Sequence, residues 1–204
     1  MSPLSAVAEY IKSFVDASKF DFAKDASSAN IYSFLEPESA RFICFLLKRF
    51  NVKQMLEVGT CVGYSTMFFA EVLKHQKGFI TSVENNSVFV EEAKANFLKA
   101  NLKDVVGLIE GDIEEILKDL PNEKFDLIFV DHKKSEYIQI LDDVFRVLKK
   151  GGIIVADDTL FKPLEQKKHL SKSMDEYNKK VFNDSRLYSS IVPLGDGLTL
   201  SLKL

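Results

Sequence analysis

Apolar positions along this chain fall into two alternating periods from residue 36 onward, and the alternation predicts the elements. Glu38 to Phe50 carries Phe42, Phe45, Leu46 and Arg49 at helical intervals, and Gln54 to Val58 follows as a short apolar strand. A helix from about Ser65 to His75 leads into a strand from Phe79 to Glu84. Ser87 reads as the N-cap of a helix reaching Lys99, with Glu91 and Glu92 in its early turns, where acids complement the helix dipole. Val105 to Glu110 is the third strand. Phe125 to Val130 is a continuous apolar run after Pro121-Asn122, the pattern of a parallel strand covered on both faces. Ser135 to Leu148 is predicted helical, with Lys149-Lys150-Gly151-Gly152 as a basic last turn and glycine stop before a fifth strand at Ile153 to Ala156. After a lysine-rich helical stretch, Leu187 to Val192 and Leu198 to Leu202, joined by Pro193-Leu194-Gly195-Asp196-Gly197, read as a hairpin.

These elements add up to an α/β architecture, a mostly parallel sheet with an antiparallel edge strand. Residues 1–35 stand apart. Val7, Tyr10, Ile11, Phe14 and Val15 recur at helical spacing and Ala26 to Asn30 reads as a loop, so the segment is expected to be a helical N-terminal extension packed on the core or on a partner subunit. Residues 36–204 form the main domain, with no repeat, low-complexity tract or Gly/Ser linker to divide it.

Composition narrows the function classes. At 46% hydrophobic and 28% charged residues the chain is an ordinary globular one, and a net charge of -3 gives no overall attraction to nucleic acid or anionic membrane. No signal-peptide pattern and no apolar run of the ~20 residues a membrane span needs is present, so a cytoplasmic protein with no membrane contact is expected. Cys44 and Cys61 lack zinc-ligand spacing and are too few for a disulfide scaffold; both read as structural.

Ligands of an open α/β sheet lie beyond the carboxyl ends of its strands. Three segments end there: Leu56 to Thr66, with Gly59 and Gly63 flanking a turn; Val130 to Tyr137; and Val155 to Leu160. Side chains at Gly59 or Gly63 would obstruct a close backbone approach, although a glycine turn with no ligand has the same appearance. Glu84, about 20 residues on, can accept both hydroxyls of a ribose. That suits any nucleoside cofactor, nicotinamide dinucleotides included. The Gly59-x-x-x-Gly63 spacing departs from the pyrophosphate-binding G-x-G-x-x-G, and Glu57 would repel phosphate but suit an ammonium or sulfonium, both carried by S-adenosylmethionine. Asp112 reads either as an adenine contact or as the cap of a helix over Ile113 to Leu117. Three carboxylates at two adjacent strand ends, Asp131, Asp157 and Asp158, call for a counter-charge, and a hard cation such as Mg²⁺ is the natural one, unless they are solvated strand-end residues or caps.

Together, Glu57-Val58-Gly59-x-x-x-Gly63-Tyr64-Ser65, Glu84, Asp131-x-x-Lys134-x-x-Tyr137, Asp157-Asp158-Thr159-Leu160 and Gly195-Asp196-Gly197-Leu198 resemble the class I S-adenosylmethionine-dependent methyltransferases, specifically the cation-dependent O-methyltransferases related to catechol and caffeoyl-coenzyme A O-methyltransferases. The resemblance runs from about Glu36 to the C-terminus. It implies a Rossmann-like methyltransferase fold with a seven-stranded sheet and helices on both faces, in a homodimer. It further implies cofactor contacts at Glu57, Gly59, Gly63, Ser65, Glu84, Asp112 and His132, a divalent cation on Asp131, Asp157 and Asp158, and Lys134 as general base beside Asp131. Asp158 stands where the family usually has asparagine, which adds negative charge at nearly constant size.

The acceptor is then expected to be a small vicinal-dihydroxy, catechol-like aromatic. Leu160 and Phe161 could wall it, their plainer role being packing. Lys162, Lys167, Lys168, His169, Lys172, Lys179 and Lys180 form a basic stretch near the expected site, and some bacterial members of the family methylate 5-hydroxyuridine in transfer RNA, so tRNA is the second candidate. A non-catalytic module that binds S-adenosylmethionine without transferring is the third, and Asp131, Lys134 and Asp157 argue against it.

Overall fold

The computed structural model describes residues 7, 9–11, 13–15, 18–23, 34–165 and 167–204. Seven strands form one sheet: β1 (Gln54–Val58), β2 (Phe79–Glu84), β3 (Val106–Glu110), β4 (Phe125–Val130), β5 (Leu148–Ala156), β6 (Leu187–Val192) and β7 (Leu198–Lys203). Their order is β3-β2-β1-β4-β5-β7-β6, with the first five parallel and β7 antiparallel to both neighbours. Strand order reverses at β1, running to β2 on one side and to β4 on the other, so a crevice opens beyond the carboxyl ends of β1 and β4.

Both faces of the sheet are apolar because alternate side chains enter opposite cores. Met55, Leu127, Phe129 and Val155 join one core with helices α1 (Pro37–Arg49), α2 (Tyr64–Gln76) and α3 (Ser87–Lys99). Leu56, Ile128, Val130 and Ile154 join the other with α4 (Ile113–Asp119), α5 (Leu141–Val147) and α6 (Lys168–Phe182). The α/β class and the sheet agree with the sequence pattern.

Several local expectations are corrected. The buried stripe of α1 is Ala40, Ile43, Leu46 and Leu47, while Phe45 and Arg49 face solvent. Asn86, not Ser87, caps α3, its side chain accepting from Val88 N at 3.0 Å. Helix does not run from 135 to 148: residues 134–140 are turns, α5 occupies Leu141–Val147, and β5 begins at Leu148. Leu148 is fully buried opposite Phe125, and the Gly151-Gly152 pair is absorbed as a register shift in that ladder rather than ending a helix.

Ahead of α1, Val7 and Glu9–Ile11 are helical and Ser18–Ala23 form a 3-10 helix. Phe20 is buried there and meets Phe68 of α2 edge-on at 4.9 Å, which ties the segment to the core. The loop expected at Ala26 to Asn30 lies outside the described residues.

Candidate active site

The crevice holds a cavity of about 550 Å³. Gly59, Ser65, Glu84, Asp131, His132, Lys134 and Asp158 line it, seven of the residues singled out from sequence. Glu57, Gly63, Asp112 and Asp157 do not. Each of these four has a definite place behind or beside the wall.

At one end of the cavity, the turn after β1 crosses the end of β4. Gly59 adopts φ +97°, its N–H donates to Val83 O at 3.1 Å, and a Cβ here would collide with the backbone carbonyl of Asp131. Gly63 also has positive φ, but a Cβ would strike the Phe97 ring; packing against α3 calls for this glycine, not a ligand. Glu84 at the end of β2 is oriented by the backbone N–H groups of Cys61 at 2.8 Å and of Asn85 and Asn86 at 3.0 and 2.9 Å. Its carboxylate thus stands in the cavity wall. Asp112 caps α4, accepting from Glu114 N at 2.9 Å and Glu115 N at 3.4 Å. Cys61 lines the cavity, yet burial pushes its thiol up to about 11, so it holds no thiolate near neutrality.

Glu57 lies beneath the turn with no solvent exposure, accepting from Ser65 Oγ at 2.8 Å, Thr66 Oγ1 at 2.5 Å and Ser82 Oγ at 2.6 Å. It acts on the cavity through Ser65. Burial raises its pKa from an ordinary 4.5 to about 7, against the lowering effect of the three hydroxyls. The folded state therefore holds this proton more tightly than the unfolded chain. Stability from neutral Glu57 is full below about pH 4.5 and is lost as pH rises through about 7. Relative to Glu57→Gln, which does not titrate, the wild-type unfolding free energy should fall by about 3 kcal/mol between pH 4.5 and pH 8. Urea unfolding of both proteins across that range checks it, and a pH-independent difference would mean that Glu57 is ionised in the fold.

At the other end, the strand termini of β4 and β5 bring the acids together. Lys134 Nζ is 2.6 Å from Asp131 Oδ1, 3.0 Å from Asp158 Oδ2 and 3.0 Å from Tyr137 Oη. Burial alone would lower this lysine, but Asp131, Tyr137, Asp158 and Asp157 hold it well above the usual value, so it is an ammonium here. Its neighbours are carboxylates, and they hold the proton on it. Asp157 is 3% exposed with Oδ1 accepting from Asp158 N at 2.8 Å, and burial, then Asp131 and Asp158, raise it far above a normal carboxyl. Asp158 is raised by burial as well, and its backbone has φ +63°, a left-handed conformation that asparagine and aspartate tolerate best. His132 Nε2 lies 2.6 Å from Glu136 Oε2.

Sequence reasoning missed much of the wall. Phe34 and Leu35 come from the chain before α1, Phe89 from α3 and Leu170 from α6. Lys167, read only as part of the basic stretch, lines the cavity 3.9 Å from both Asp158 and Asp196 and 4.5 Å from the centre of the Phe161 ring. Its position just ahead of α6 was the one available signal. Phe161 itself is fully buried packing.

A family model described as O-methyltransferase matches residues 11–204. A caffeoyl-CoA O-methyltransferase of Populus kitakamiensis is 32% identical over 181 residues, covering 82% of this chain and 77% of that protein. In fold, the chain is similar to the SAH-bound methyltransferase of Podospora anserina, with a TM-score of 0.85, 24% identity and coverage of 100% and 97%. It is also similar to a Streptomyces achromogenes O-methyltransferase in complex with SAM, with a TM-score of 0.83, 20% identity and coverage of 100% and 99%. The chain belongs to the O-methyltransferase family, with caffeoyl-CoA O-methyltransferases among its relatives.

Proposed function

We propose that the protein transfers the methyl of S-adenosylmethionine to one hydroxyl of a vicinal-dihydroxy aromatic, with a divalent cation, Mg²⁺ foremost, on Asp131, Asp157 and Asp158. One observation carries the reading: the cavity lined by Glu84 and Ser65 also opens onto Asp131, Lys134 and Asp158. Cofactor and acceptor would thus meet in a single chamber. Phe34, Leu35 and Leu170 supply apolar walls for a flat ring, and the caffeoyl group of the relatives' names is itself a vicinal-dihydroxy aromatic.

Transfer is an in-line displacement: the acceptor oxygen forms a bond to the methyl carbon as the sulfonium–methyl bond breaks, and the hydroxyl proton must leave. Asp131, Asp157 and Asp158 offer hard oxygen donors that outnumber the one buried ammonium, so by chemistry they fit a hard cation. Among the described residues no three His, Cys, Asp or Glu side chains already converge on one point, since Lys134 spans Asp131 and Asp158. When bound, the cation would take over the negative charge that now retains the Lys134 proton and would serve as Lewis acid and template for two neighbouring oxygens. Lys134, buried at the acceptor end, would then release its own proton to solvent and, as the neutral amine, receive the hydroxyl proton.

Lys162 and Lys179 both bond Asp175, at 2.6 and 2.8 Å, which occupies two cations of the basic stretch and ranks a small aromatic above tRNA. A homodimer belongs to the same proposal, supported by Val7, Tyr10 and Phe14, which stand exposed. No helix among the described residues is long and apolar enough to cross a membrane.

The test is transfer of labelled methyl to catechol and to hydroxyuridine-bearing tRNA, each with Mg²⁺ or chelator. Catechol should be labelled, at a rate that falls by at least about tenfold with chelator and returns with Mg²⁺. Labelling of tRNA alone would replace the acceptor. Tight cofactor binding with neither product labelled would favour a module that binds without transferring.

A further inference from the structure

Tyr137 sits in the turn between β4 and α5 and is 1% exposed. Its hydroxyl lies 2.9 Å from Val130 O, 3.3 Å from Asp157 O and 3.0 Å from Lys134 Nζ. A phenol has one proton and two lone pairs, so it donates to the Val130 carbonyl, with that of Asp157 at the edge of reach, and accepts an N–H of the lysine. Val130 precedes Asp131 at the end of β4, and Asp157 follows the end of β5. One hydroxyl therefore touches both strand ends that bear the acids, and the lysine between them.

An ammonium has three N–H groups, and three oxygens lie within 3.0 Å of this one, from Asp131, Asp158 and Tyr137. Two are carboxylates, which a cation or an acceptor would engage in turn. Tyr137 alone is neutral and turned away from the cavity, so it stays a partner of the lysine when the others are drawn off. Its ring is fixed edge-on against Tyr177, 5.3 Å between centres at 88°. A flexible four-carbon stem is thereby tied at its tip to the carboxyl ends of β4 and β5.

We infer that Tyr137 is a positioning residue for methyl transfer: through its hydroxyl it sets where Lys134 Nζ stands relative to the carboxylates of β4 and β5. The inference rests on the reading of Lys134 as proton acceptor. A purely structural hydroxyl, there to satisfy the buried Val130 carbonyl, would have the same contacts but different kinetics.

A double-mutant cycle separates them, using Tyr137→Phe, which keeps the ring, and Lys134→Met, singly and together, with catechol turnover and cofactor affinity measured on each. Tyr137→Phe should lower kcat about tenfold while the KM for S-adenosylmethionine stays within about twofold. In the Lys134→Met background the same change should have no further effect, because the group it positions is gone. An equal loss in both backgrounds, or an unchanged kcat in Tyr137→Phe, would overturn the inference and leave the hydroxyl a structural one. Should Lys134→Met itself retain full kcat, the proton-acceptor reading fails and the inference falls with it, a result distinct from both. Cofactor affinity and the melting midpoint report that each variant is folded.

Discussion

Lys134→Met should lower kcat on a catechol by about 10²–10⁴-fold, the range for loss of a general base, while the affinity for S-adenosylmethionine changes little. The lysine has two roles that this one change removes together. It is the counter-charge for Asp131 and Asp158, and in the proposed reaction it takes the acceptor's proton. Lys134→Arg divides them. A guanidinium keeps the positive charge among the carboxylates but does not give up a proton in the working range, so it replaces the counter-ion and not the base. Arg at this position should be about as inactive as Met, yet closer to wild type in melting midpoint. Single-turnover transfer of labelled methyl, with cofactor affinity measured by calorimetry, reads both. Activity in Lys134→Arg within about fivefold of wild type would reduce the lysine to a counter-ion, since a lost base costs far more.

That Asp131, Lys134, Glu84, Gly59, Ser65, His132 and Asp158 line one cavity was legible because the strand-end rule depends only on where each strand stops. The apolar runs at 125–130 and 153–156 marked those ends clearly. The place of Glu57 was not legible. An acid one residue before a glycine turn reads as a ligand contact, and only the pairing of β1 with β2, which sets Glu57 beside Ser82, turns it beneath the wall to hold three hydroxyls. Residues 135–140 were not legible either: their apolar spacing is helical, yet the chain runs through turns there and α5 begins only at Leu141. Phe34, Leu35 and Leu170 come from segments with no motif of their own, brought to the cavity by α1 and α6 docking on opposite faces of the sheet.

Gly59→Ala should be among the most damaging single substitutions in the chain, and Gly151→Ala is its control. Both glycines have positive φ, +97° and +75°. A side chain there carries a backbone penalty of roughly 1–3 kcal/mol. At Gly151 nothing lies within 4 Å of the added carbon, so that penalty is the whole cost. At Gly59 the added carbon would overlap the carbonyl of Asp131, and neither partner can withdraw easily: Gly59 N is bonded to Val83 O at 3.1 Å, and Asp131 N to Val58 O at 2.9 Å. Relief requires parting β1 from β4 at the point where the crevice opens. We expect Gly59→Ala to lose at least about 2 kcal/mol more than Gly151→Ala, a further drop of roughly 4–8 °C in melting midpoint for a domain of this size. The displaced carbonyl belongs to Asp131, so the same strain reaches the acid that bonds Lys134, and catechol turnover should fall more steeply than stability alone predicts. Equal midpoints for the two variants would show that β1 and β4 part at that point with little resistance, and the crevice would then be a yielding one rather than a frame for the cofactor.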